Sequence, residues 1–221
     1  MLFLLALFST KEANASYPLL SKAQSVVRNI DYLPFTSKRD GCYARAYYMG
    51  IELAIHGIPS TNQYVFGKLR PTRNITWKYH VAPIVALSPK KFAIIDPSLA
   101  STPMTRKHWL RLNNPSGAAK LYVTPAHYYK KKGVQNTNYQ LKKRAKKVRQ
   151  MKDYSIENIA DACMTAWHHI GKEKSLSYRE KRAKRNRLQK RTHYLIKRLK
   201  DLDLLNKSNT LLKCDNGAYR L

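Results

Sequence analysis

From Tyr43 to His56 the chain repeats small and apolar residues at three- and four-residue spacing: Ala46, Tyr47, Gly50, Leu53 and Ala54. That stripe predicts a helix with one face on a core. Asp40 just ahead is a good N-cap and Gly41 leaves room for a tight entry. Gly57-Ile58-Pro59 stops the helix, with Gly57 as the C′ residue. Small residues at 44, 46 and 50 let a sheet approach closely. Three strand-like runs come next, Gln63–Leu69, Ile75–Leu87 and Lys91–Ile95. Pro83 inside the second predicts an edge strand or a bulge. Leu87-Ser88-Pro89-Lys90 reads as the turn between the second and third. A hairpin centred on Ser88 sets His80 opposite Asp96, where Cβ atoms lie about 4.5–5.5 Å apart. Residues 103–112 hold Trp109, read as a packing anchor, and 121–125 read as one more short strand. Two helical patterns close the chain, Tyr154–Ile170 and Ser177–Leu205. Helix first and strands after make an α+β domain followed by a helical extension.

Charge changes that picture only toward the C-terminus. The 221 residues carry a formal net charge of +29. Residues 130–200 hold 23 Lys or Arg against five Asp or Glu. This stretch is open to three readings: non-specific nucleic-acid binding, attachment to an anionic membrane or acidic substrate, or a solvated helical face; electrostatic binding would show a steep loss in salt. No nucleic-acid motif accompanies it, so no specific nucleic-acid partner is expected. Met1–Phe8 is almost wholly apolar and Ala13-Asn14-Ala15 has the small-x-small form of a cleavage site. A signal peptide over residues 1–15 and a secreted protein follow as expectations. The domain then runs over 16–129 and the basic helical extension over 130–221. Three cysteines suit one disulfide and one free thiol in an oxidising compartment, with Cys163 and Cys214 as the pair.

Cys42 is left, in the first turn of the predicted helix. Free N–H groups and the helix dipole there favour a thiolate, which can act as a nucleophile, while a buried structural cysteine is the other reading of this stretch. Cysteine, histidine and aspartate in the order Cys42, His80, Asp96 fit a thiol acyl-transfer site. In that reading Cys42 attacks a carbonyl, His80 moves the proton and Asp96 orients the imidazole. The N–H of Cys42 supplies half of an oxyanion hole, and Ser37 to Asp40 is the place to seek the other half. Arg45 reads as a structural ion-pair residue, and Trp77, Tyr79, Tyr64 and Phe66 as packing or cleft walls. His168, His169 and Cys163 lack the spacing of metal ligands, so neither metal nor cofactor is expected.

Five blocks resemble the bacterial protein-glutaminases, in the same order: GCYARAYYMG, QYVFGKL, WKYHVAP, AIIDPSL and PMTRKHW. They cover roughly residues 35–130. The resemblance implies a papain-like core and places the family's catalytic residues on Cys42, His80 and Asp96. It implies hydrolysis of the side-chain amide of protein-bound glutamine through a thioester on Cys42. Protein substrates with accessible glutamine are then the expected partners. Transglutaminase or cysteine-protease chemistry on the same three residues, or a basic binding protein on an inactive core, are the alternatives. Tyr47 departs from the family, which has histidine there. Only residues 16–34 are placed to serve as a pro-segment.

Overall fold

A computed structural model describes residues 10–37, 40–88, 91–129, 154–206 and 214. Met1–Phe8 of the expected signal peptide, Pro89 and Lys90 of the turn, and 130–153 of the extension lie outside the described residues. The described elements run α1 (Thr10–Arg28), α2 (Cys42–Ile55), β1 (Ser60–Thr72), β2 (Ile75–Ser88), β3 (Lys91–Ile94), α3 (Arg106–Asn113) and β4 (Pro115–Pro125), then α4 (Ile156–Lys172) and α5 (Tyr178–Asp201). The fold is α+β. Its antiparallel sheet has the strand order β3-β2-β1-β4. Among the described residues no helix is long and apolar enough to cross a membrane.

The stripe expected on α2 is a full circle instead: every residue from Cys42 to Leu53 is buried. A helix buried all round must be covered on several sides. The sheet covers one side, with Tyr64, Val81, Val85 and Ile95 in the same cluster as α2. The other side is covered by α4 and α5, whose Ile159, Cys163, Leu188, Leu195 and Leu199 join that cluster. Ala126, just past β4, comes so close that a Cβ on Gly50 would lie 3.3 Å from its methyl. At the far end Gly57 has φ +69°. Its N–H bonds to Ala54 and that of Ile58 to Leu53, the two bonds of a Schellman motif.

Alternation along the strands sends Val65, Ala82, Ile84 and Ile94 to the opposite face, into a second cluster with Trp77, Met104 and Trp109. Pro83 lies in β2, which is internal to the sheet, and it pairs with Asn62 without a register shift. The expected edge or bulge is therefore absent there. Pro83 is tolerated because the side it turns to β3 is where β3 ends: its carbonyl accepts from Ile95, one residue past the strand. The shifts lie further along, between Phe66 and Leu69 and between Leu69 and Thr72.

Cys163 and Cys214 are joined by a disulfide, and Cys42 is the free cysteine. Buried Glu52 on α2 ties α5 down. It accepts two bonds from Arg191, at 2.8 and 2.6 Å, and one from Tyr32 at 2.7 Å.

Candidate active site

Asp40 is not the N-cap of α2. Gly41 takes that position at φ +82°, ψ 8°, with no side-chain cap. Asp40 instead turns its carboxylate onto the N–H of Gly41, 2.8 Å away. The chain thus enters the helix through a left-handed residue, which favours glycine. Cys42 follows immediately and is buried. Its N–H is among those a helix leaves without an intrahelical partner. Arg45, one turn on and buried, donates to the backbone carbonyls of Ser37 and Asp40, each at 3.0 Å, and weakly to Pro34. Where an ion pair was expected, Arg45 clamps the loop that leads into the helix. Burial lowers its pKa, against which the charges of Cys42, Asp96 and Asp40 act.

His80 and Asp96 meet, though not by the register expected. β2 and β3 pair as Ile84 with Ile94, Val85 with Ala93 and Ala86 with Phe92. The hairpin is therefore centred one residue later than Ser88, and Asp96 lies beyond the end of β3, level with Ala82. A displacement of two residues keeps side chains on the same face, so His80 and Asp96 become diagonal neighbours. Their side chains close the gap: His80 Nε2 lies 2.7 Å from Asp96 Oδ2.

Asp96 is buried and well satisfied. Trp109 Nε1 donates to Oδ2 at 2.8 Å, while the backbone N–H and hydroxyl of Ser98 donate to Oδ1. Trp109, expected only to pack, is thus also a hydrogen-bond donor to the carboxylate. Nothing local in the sequence connects it to Asp96. Ser98 did leave a signal, since Asp followed two residues later by Ser is an Asx-turn pattern. Two indoles sandwich the imidazole, Trp77 at 4.6 Å and Trp109 at 5.7 Å between ring centroids. Trp77 reaches it because of the first register shift. Val65 and Leu69 are four apart on β1, yet their partners His80 and Trp77 are three apart on β2.

Burial favours the neutral imidazole, but the charge of Asp96, its hydrogen bond and then Cys42 outweigh it and raise the His80 pKa to about 9. For Asp96 burial works upward. The charge and hydrogen bond of His80, with those of Ser98 and Trp109, hold it down at about 2. The second ring nitrogen, Nδ1, is buried without a hydrogen bond among the described residues. Cys42 lies near enough to add to the rise at the ring, without a hydrogen bond in the resting protein. Such a contact, loose in the resting protein, is the kind that tightens in a reacting complex. Cys42 belongs to the cluster around α2, and the two tryptophans stacked on His80 belong to the second cluster. The site therefore sits at the seam between the two cores. Loop residue Ser37 also meets His169 of α4, Oγ to Nδ1 at 3.0 Å, a contact that the sequence reading did not contain.

These features define an α+β protein with a thiol at a helix N-terminus beside a buried histidine–carboxylate pair. Residues 14–112 match the model of a family described as glutaminase. This segment contains Cys42, His80 and Asp96 and ends before β4. No curated protein matches the chain. Among solved structures, a crystal structure of protein-glutaminase is 27% identical, over 54% of this chain and 78% of that one, with a TM-score of 0.46. The NMR structure of protein-glutaminase from Chryseobacterium proteolyticum is 24% identical, over 66% of this chain and 84% of that one, with a TM-score of 0.49. A crystal structure of pro-protein-glutaminase is 28% identical, over 58% and 57% of the two chains, with a TM-score of 0.44.

Proposed function

We propose that the chain deamidates glutamine side chains in proteins, with Cys42, His80 and Asp96 as its catalytic residues. The observation that carries this reading is the buried hydrogen bond from His80 Nε2 to Asp96, which leaves Nδ1 for Cys42, inside the segment that matches the glutaminase family. With Asp96 opposite it, His80 rests as an imidazolium at neutral pH. It stabilises the negative sulfur and holds a proton for the leaving group.

The sulfur of Cys42 attacks the side-chain amide carbon of glutamine. The tetrahedral oxyanion is received by the N–H of Cys42 at the start of α2, and by a second donor of the preceding loop. His80 gives its proton to the amide nitrogen, the C–N bond breaks and ammonia leaves. A γ-glutamyl thioester remains on Cys42. Water, giving its proton to His80, attacks the thioester carbon, and the C–S bond breaks to yield glutamate and the restored sulfur. Asp96 stays ionised throughout and keeps the ring in place.

Export to an oxidising compartment belongs to the same proposal and is supported by the Cys163–Cys214 disulfide. So does attraction to anionic surfaces through the basic residues of 130–200, which should weaken steeply with salt.

The test is ammonia release from a glutamine-rich protein such as casein, with intact mass of the product, for the wild type and Cys42→Ala. Amide-to-acid conversion in the wild type alone supports the reading. Peptide fragments would make the protein a protease and amine incorporation a transglutaminase. No reaction on a panel of glutamine-bearing proteins would sink all three.

A further inference from the structure

We infer that His169, from the C-terminal helix α4, is a positioning residue for the Cys42 site. It fixes the loop that delivers the chain to Cys42 by its hydrogen bond to Ser37 and its contact with Gly41. The inference rests on the thiol chemistry proposed above, but it concerns a residue well beyond the segment 14–112 that matches the family.

Three observations converge on this loop. His169 is buried, and its Nδ1 lies 3.0 Å from Ser37 Oγ. Its ring edge fills the space beside Gly41: a Cβ built there would lie 2.9 Å from Cδ2 and 3.2 Å from Nε2. Arg45 grips the same loop close by, through the carbonyls of Ser37 and Asp40, and its Nη1 lies 3.5 Å from that same Cβ position. The guanidinium and the imidazole thus hold the loop together, and the residue that follows is the nucleophile.

The imidazole is suited to this task because it is uncharged. Burial first, then the positive charges of Arg45 and Lys172, lower the His169 pKa to about 4, against the pull of Asp40. A neutral ring offers one donor and one acceptor nitrogen, so it can bond a hydroxyl without setting a second cation against Arg45.

The helix that carries His169 is itself fixed. Thr165 meets the hydroxyl of Tyr43 at 3.5 Å, and Cys163 is bridged to Cys214. Lys184 of α5 holds buried Glu173, and Arg185 donates to the carbonyl of Trp167. The C-terminal helices therefore do more than cover α2, because they set where the loop before Cys42 can lie. Displacing a reacting group by about an ångström can cost on the order of 100-fold in rate. The bond should accordingly be visible in turnover rather than in substrate affinity.

The experiment compares wild type, His169→Phe, His169→Asn, Ser37→Ala and the double variant Ser37→Ala/His169→Phe. Phenylalanine keeps the ring volume against Gly41 and loses the bond, whereas asparagine keeps a polar group near the place of Nδ1. Thermal melts identify the folded variants. With a glutamine protein as substrate, His169→Phe and Ser37→Ala should each lower kcat by roughly 10- to 100-fold with KM little changed. The double variant should be no worse than either single one, because both remove the same bond, and His169→Asn should recover most of the loss. Alkylation of Cys42 by iodoacetamide reads the placement of the thiol without any glutamine substrate, and it should slow in the same variants. If the wild type turns over no glutamine, the deamidase reading fails and alkylation alone decides on His169. Folded Ser37→Ala or His169→Phe with wild-type alkylation and turnover would overturn the inference. So would a loss confined to KM, or fully additive losses in the double variant.

Discussion

Replacing Asp96 by asparagine removes the charge that keeps His80 protonated. The amide can still accept from Ser98, but its NH2 then faces two buried donors, His80 Nε2 and Trp109 Nε1. Leaving a buried donor unsatisfied costs about 1–3 kcal/mol at any pH. The charge contributes a separate, pH-dependent part. The His80 pKa stands at about 9 against an ordinary 6.5, which at 1.36 kcal/mol per pH unit is roughly 3 kcal/mol. Seen from Asp96, about 2 against 3.8, the same interaction is worth roughly 2 kcal/mol. The smaller figure is taken for the pair, since Cys42 adds to the rise at His80 as Ser98 and Trp109 add to the fall at Asp96. A group with a raised pKa contributes fully below its unfolded value and loses that contribution as pH climbs through the folded one. The pair therefore stabilises most between about pH 4 and 6.5. It fades as pH rises toward 9 and, through Asp96, as pH falls toward 2. Urea denaturation at steps from pH 5 to 10 should show the gap between wild type and Asp96→Asn narrowing by roughly 2 kcal/mol across the alkaline limb. In the variant only burial and Cys42 still act on His80, whose ring should titrate well below 9 by NMR. Turnover should fall roughly 100-fold or more. A variant with a constant gap, and with His80 still titrating near 9, would refute the reasoning.

Gly41→Ala should destabilise the protein by about 2 kcal/mol and lower turnover. Its φ of +82° disfavours any side chain, and the new methyl meets His169; wild-type stability in the variant would contradict this. The Cys163–Cys214 bridge spans a sequence separation of 51, so a Cys163→Ser/Cys214→Ser double variant should lose about 4 kcal/mol in denaturant, and a loss below about 1 would count against the bridge. Glu52→Ala strips Arg191 and Tyr32 of their acceptor and should cost about 3 kcal/mol by thermal or urea unfolding. Adding Arg191→Ala should return part of it, and further destabilisation by the second change would argue against the pair.

Much of the site could be read along the chain, because its signals are local. Gly57 ends α2 where a left-handed residue is needed, and helical periodicity placed Cys42 in the first turn. His80 and Asp96 came together although the hairpin turned one residue late. Side chains in a strand alternate with period two, so an error of two in register keeps the face. What escaped was pairing over distance. Trp109 shows a helical packing pattern whether or not its indole reaches a carboxylate thirteen residues back. His169 sits beside His168 on an amphipathic helix, and nothing near it points to a loop 132 residues away.

The sequence by itself determined the order of helix and strands, the positions of a thiol, an imidazole and a carboxylate, and the excess of positive charge. Each follows from spacing, turn chemistry or composition within a short window. Tertiary structure decided the rest: the burial of α2 on all sides, the left-handed entry at Gly41, Arg45 on loop carbonyls, and the two indoles around His80. It also decided the approach of α4 to the loop before Cys42. Those contacts depend on which surfaces the folded chain brings together, and the free energy of closing such distances is supplied by the core as a whole rather than by the residues that meet.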